Sequence, residues 1–210
     1  MSTVTGRIDR LRTAMGQPLP GHDGFLEKAG YKLAELNGAF RKDAAPRESA
    51  VLLLLFQRDQ QLRTLLMVRP DYEGVHSGQV SFPGGKKEED DADHWATALR
   101  EFTEETGIAL HGVDQLGTLS RVYIPPSRML VTPCVAFAAE IGAADPDPHE
   151  VSELFDVTID ELLTPDAIKH REQYIHIAGR STTVPSFDLA GRVVWGATAM
   201  MLWELRELMR

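Results

Sequence analysis

Disulfides are excluded at the outset, because the 210-residue chain holds one cysteine, Cys134. A lone thiol fits a reducing, cytoplasmic setting, and its place in an apolar, strand-like run makes it an ordinary buried side chain rather than a nucleophile. Long hydrophobic runs are missing as well. The longest unbroken one, Ala50 to Phe56, falls far short of the ~20 residues that a membrane helix needs. Met1 to Met15 mixes charged and polar residues without the apolar stretch of a secretory leader, so a soluble protein with no membrane partner is expected. Positive charge is also scarce: Lys and Arg number 22 against 31 Asp and Glu, a formal net charge of -9. That balance argues against nucleic acid or an anionic membrane surface as the main partner. A polyanionic small molecule can still bind where metal ions screen the contact.

What is present is enough apolar residue, 43% of the chain, for one sizeable core. No internal repeat is visible. We expect a single domain over residues 50–210, preceded by an extension over 1–49 that packs on it. In the extension, Ile8, Leu11 and Met15 have the spacing of a short amphipathic helix, with Arg12 interrupting the stripe, and Gln17-Pro18-Leu19-Pro20-Gly21 ends it. A second helix is expected around Tyr31 to Leu36. Either covering a sheet edge or a subunit contact, in a homodimer, would account for this segment.

From Ser49 the pattern turns to strands. Ala50 to Phe56 has the continuous apolar character of a strand covered on both faces, and Leu62 to Arg69 follows after a turn, as in a hairpin. A loop from Pro70 to Gly78 leads to Gln79-Val80-Ser81-Phe82-Pro83, which delivers Gly84-Gly85 from a strand end. Glycine there lets a backbone carbonyl approach a metal or a phosphate. Further strands are expected over Val113 to Ile124 and Leu130 to Ile141. Thr158 and Glu161 make a capping box, and Gln173 to Ile177 with Thr182 to Phe187 suits a hairpin turning at Gly179. An apolar helix opening near Val193 closes the chain.

Between these strands lies an acidic helix, with Asp93 as N-cap and Gly107 just past its end. Glu101, Glu104 and Glu105 stand at the i, i+3, i+4 spacing that puts side chains on one face. Like charges so placed repel by about 0.2–0.5 kcal/mol per pair, a cost that a hard divalent cation would reverse. A solvated surface face, with Arg100 and Glu104 as a routine ion pair, is the plain alternative.

The whole constellation goes further than the carboxylates alone. Arg100-Glu101-Phe102-Thr103-Glu104-Glu105-Thr106-Gly107-Ile108, tied to Gly85 upstream, resembles the Nudix box: a glycine, an acidic residue, then Arg-Glu-aliphatic-x-Glu-Glu-x-Gly-aliphatic. Three features depart from it. Phe102 is aromatic, the acidic residue is Asp91, and Arg100 arrives one residue late. The last two are familiar from the coenzyme A-cleaving branch of the family. Upstream, Leu65-Leu66-Met67-Val68-Arg69, Gly78 and Phe82-Pro83-Gly84-Gly85 are similar to that branch's signature, with Met67, Pro70 and Gly74 replacing its hydroxyl residue, small residue and second arginine.

The resemblance implies an α/β fold, the Nudix-type α/β/α sandwich with a mixed β-sheet, and a metal-dependent hydrolase of pyrophosphate bonds. It implies Mg²⁺ or Mn²⁺ on Glu101, Glu104, Glu105 and the Gly85 carbonyl, with Arg100 orienting the carboxylates. Glu104 and Glu150 are both candidates for general base. Glu150 follows an acidic loop stiffened by Pro146 and Pro148, though an N-terminal helix charge would explain it equally. Arg69, and more weakly His76 and Lys86, are candidates for binding substrate phosphates. Coenzyme A or an acyl derivative is the implied substrate. Another nucleoside diphosphate, such as ADP-ribose or NADH, is the alternative, and a ligand sensor without turnover is a third reading.

Overall fold

The computed structural model describes residues 3–28, 45–70, 78–175 and 180–210. Its centre is β1 (Arg47–Arg58), in which Leu52 to Phe56 are all fully buried. Side chains alternate along a strand, so this run serves two cores at once. Leu53 and Leu55 pack on one face of the sheet, and Ala50, Leu52, Leu54 and Phe56 on the other. Each buried leucine contributes about 1.5–3 kcal/mol relative to exposure.

β1 pairs antiparallel with β2 (Gln61–Val68) and with β4 (Gly84–Lys86), and parallel with β7 (Met129–Ala138). Around these lie β3 (Val80–Ser81), β5 (Asp114–Thr118), β6 (Val122–Ile124) and β8 (Glu153–Thr158), completing an eight-stranded mixed sheet. The single strand expected over Val113 to Ile124 is two, because β5 carries a bulge at Gly117 (φ +147°) and the chain then turns before β6. β8, which runs beside β2, was not foreseen. Its buried and half-buried residues are mixed with Glu153 and Asp156, which hides the period of a strand.

α3 (His94–Thr106) covers one face through Ala98 and Phe102. α1 (Val4–Met15) and α5 (Gly196–Met209) cover the other, making the expected α/β/α layering. Ile8 and Leu11 of α1 are buried in the same cluster as Leu53, and Arg12 interrupts the apolar stripe because it pairs with Asp114 of β5. α2 (Asp23–Lys28) brings Phe25 into a parallel stack on Phe187, ring centroids 6.3 Å apart. α4 (Ile159–Leu163) starts at the capping box of Thr158 and Glu161. β9 (Ile168–Ile175), β10 (Arg180–Leu189) and β11 (Arg192–Val194) form a separate antiparallel sheet. The helix expected around Tyr31 to Leu36 and the turn at Gly179 lie outside the described residues. Among the described residues no helix is long and apolar enough to cross a membrane.

Candidate active site

The acidic face of α3 is fixed at both ends by local chemistry. Asp93 caps the first turn, its carboxylate accepting from the Ala96 amide at 2.8 Å. Gly107 takes the left-handed conformation (φ 67°), and its amide bonds the Thr103 carbonyl at 2.9 Å. The last helical carbonyls would be left without donors. Loop amides supply them: Asp145 donates to Thr106 at 3.0 Å and Asp147 to Glu105 at 3.2 Å. The loop then turns on Asp147, which accepts from Glu150 and Val151 before Ser152 joins Val68. Burial is the main cause that raises the pKa values of Glu101 and Glu105, and Glu150, carried on this loop, adds a smaller upward push to both.

The helix carboxylates differ in setting. Glu105 is 2% exposed; one oxygen accepts from the Gly84 amide at 2.7 Å and the other lies 3.7 Å from Arg69. Burial, partly offset by Arg69 and the Gly84 amide, raises its pKa to about 7. Glu101, half-buried, is raised by burial against the opposing effect of Arg100. Glu104 is the open one, its side chain 56% exposed.

Arg100 holds this arrangement together. Its guanidinium bonds Glu104 at 2.8 Å, Glu101 at 3.1 Å and the Lys86 carbonyl at 3.2 Å. Its other edge sits on Asp91, with both contacts at 3.0 Å. Asp91 also accepts from the Glu88 amide and the Thr97 hydroxyl, so its own position is set from two sides. These bonds hold its carboxyl well below the ordinary value, and its presence holds the Arg100 guanidinium correspondingly above. Asp91 thus fixes the position of Arg100, a contact that charge patterning alone did not single out; its signal was that it falls on the acidic place of the box.

Two other candidates lie differently. Lys86 contributes its carbonyl, while its side chain is exposed and, by strand alternation from Gly85, faces away from Glu101. Arg69 reaches the Gly84 carbonyl at 3.4 Å and lies 3.7 Å from Glu105, contacts that leave most of its donors free of other partners among the described residues. His76 and Gly74 fall outside the described residues.

The donor set suits a hard cation, since it offers only oxygen. Gly85 fits as well: a Cβ there would come within 2.5 Å of Cδ and both oxygens of Glu101, so only glycine lets the carboxylate and main chain share that corner. With side chains as placed, no three carboxylate, imidazole or thiol groups converge among the described residues. Arg100 stands between Glu101 and Glu104 and supplies the positive charge there.

Replacing Asp91 with Asn should free Arg100 from its rail. We expect a loss of about 2 kcal/mol in urea unfolding at neutral pH, below the ~3–5 of a fully buried pair because Arg100 is partly exposed. Since the native carboxyl is depressed from 3.8, its contribution is complete above that value and is lost as pH falls below it. The difference between wild type and D91N should therefore shrink in acid.

A family model, the NUDIX domain, matches residues 46–177. The peroxisomal coenzyme A diphosphatase of Mus musculus is 32% identical over 174 residues, covering 82% of this chain and 72% of that protein. The mitochondrial Nudix hydrolase 15 of Arabidopsis thaliana is 32% identical over 164 residues, 75% of this chain; the chain spans 56% of that relative's length. The crystal structure of a Nudix hydrolase from M. smegmatis superposes with a TM-score of 0.50 at 20% identity, over 79% of this chain and 87% of that one, a likeness of fold. Box spacing, the α/β/α layering and these matches agree, and the chain belongs to the Nudix hydrolase family.

Proposed function

We propose that the protein hydrolyses the pyrophosphate bond of coenzyme A or acyl-coenzyme A, releasing 3′,5′-adenosine bisphosphate and (acyl-)4′-phosphopantetheine. The observation that carries this is the face of α3 beside Gly85, where Arg100 pairs with both Glu101 and Glu104 and Glu105 accepts from the Gly84 amide. Its support for coenzyme A in particular comes from Arg69, Gly78 and Phe82-Pro83-Gly84-Gly85 in their signature spacing, and from the likeness to the mouse diphosphatase.

Glu101, Glu104 and Glu105 with the Gly85 carbonyl would hold Mg²⁺ or Mn²⁺, which neutralises phosphoanhydride charge and acidifies the attacking water. Arg100, braced by Asp91, keeps Glu101 and Glu104 in register as charge builds on the substrate. Glu104 and Glu150, both exposed, are the groups able to accept the proton of the water. Arg69 binds a substrate phosphate with the donors that the Gly84 carbonyl leaves over. A secondary contact with the same phosphates is proposed for His76, whereas Lys86 takes part through its carbonyl, which accepts from Arg100.

A cytoplasmic setting and a homodimer are part of the proposal. Cys134 takes no part: burial pushes its thiol up to about 12, so it stays protonated and inert.

Gly74, standing where the signature has its second arginine, favours a second reading, a pyrophosphatase of ADP-ribose or NADH. Product release followed by chromatography, with the three substrates compared at equal concentration with and without Mg²⁺ or Mn²⁺, separates them. Fastest formation of 3′,5′-adenosine bisphosphate from coenzyme A, and only with metal, is the expected result. Faster turnover of another nucleotide would replace the substrate and keep the family; no turnover of any would leave a sensor.

A further inference from the structure

Arg206 lies on α5, on the face of the sheet opposite α3, and has no part in the carboxylate site. It is 3% exposed. One of its terminal nitrogens donates to the Thr164 carbonyl at 3.0 Å, and its Nε has no partner. No carboxylate lies within ion-pair distance of it among the described residues, and burial and neighbouring Arg210 disfavour its charge against a smaller, opposing effect of Glu207. A buried cation in this state is costly, and such groups are ordinarily answered by an anion.

Beside it opens a cleft of about 520 Å³, a size that suits a small molecule. Trp203 and His170 line it together with Arg206 and Arg210, which stand one helical turn apart on the same face. Glu27 and Glu207 also line it, and Arg210 bonds Glu207 at 3.0 Å. Those carboxylates would repel an extended polyanion and leave room for one compact anionic group. A tetrahedral oxyanion, with several acceptors for two guanidinium groups, matches best.

We propose that the cleft of Arg206, Arg210, His170 and Trp203 is a binding site for a phosphate group, carried either as free phosphate or as a small phosphate monoester. The site is independent of the substrate proposed above. Each phosphate bond to Arg206 would answer charge that the fold itself leaves unpaired.

Calorimetric titration of the full chain tests this, with inorganic phosphate in EDTA at an ionic strength fixed with chloride. Saturable one-site binding is expected, abolished in Arg206→Met and weakened about three- to tenfold in Arg210→Ala. Without phosphate, Arg206→Met should unfold at the same temperature as wild type or higher, since it removes an unanswered buried charge. If that variant does not fold, Arg210→Ala carries the test, its side chain being 52% exposed. Methyl phosphate as a second titrant separates the sources: tighter binding than phosphate identifies an ester ligand, and weaker binding identifies the free ion. Absence of saturable binding, equal binding by wild type and both variants, or acetate binding as tightly as phosphate would each overturn the proposal.

Discussion

Glu104→Gln should lower kcat by about 10²–10⁴-fold and leave the unfolding free energy within about 0.5 kcal/mol of wild type. The two halves of that result have separate physical grounds. Glu104 is 56% exposed and, among the described residues, its partner is Arg100, which keeps Asp91 and Glu101 when Glu104 loses its charge. Folding therefore has little to lose. Activity has much to lose, because an amide neither takes a proton nor offers an anionic oxygen to a cation. Glu105→Gln is the instructive contrast, since Glu105 is buried and clamps the Gly84 amide, so that stability and rate should fall together. Steady-state kinetics beside urea unfolding measures both quantities. Full turnover by Glu104→Gln would mean that the residue is only a solvated partner of Arg100, and would leave Glu150 to act on the water.

The second large effect is expected at Gly107. Gly107→Ala places a methyl group on a residue at φ 67°, where it would overlap the Asp145 carbonyl. The conformation costs about 1–3 kcal/mol for a non-glycine residue, and relieving the overlap about as much again. For a chain of this size the thermal midpoint should drop by about 5–15 °C. The loop has nowhere to yield without stretching the Asp145–Thr106 and Asp147–Glu105 bonds that bring Glu150 to the site, so turnover should fall as well. Gly112→Ala is a built-in control. Gly112 has nearly the same backbone angle, φ +65°, but an added Cβ meets nothing within 4 Å. Equal losses in the two variants would show that backbone strain alone is at work and that the contact with Asp145 does not matter.

The box helix was legible to its ends, because its signals are local: Asp93 and Gly107 act within a turn of where they stand. β1 was legible for a similar reason, since a strand buried on both faces must be apolar throughout. β8 was missed because its burial depends on pairing with β2, some ninety residues away, and its acids, Glu153 and Asp156, pair with arginines distant in sequence. The extension gave away Ile8 and Leu11 by their period, but the reason for Arg12 in the stripe is Asp114, which no local pattern indicates.

The sequence by itself carried the motif resemblance that implied the family and its mixed α/β architecture, and it determined the carboxylates at one face of one helix, because helical period is a property of neighbours along the chain. Tertiary structure alone decided how those carboxylates differ. It buried Glu105 on the Gly84 amide, left Glu104 open, set Arg100 on Asp91, and carried Glu150 in on a loop tied to the end of α3. Burial and charge pairing depend on what lies within a few ångströms in space, and three identical side chains at helical spacing become three different chemical groups only when the sheet and the loop close around them.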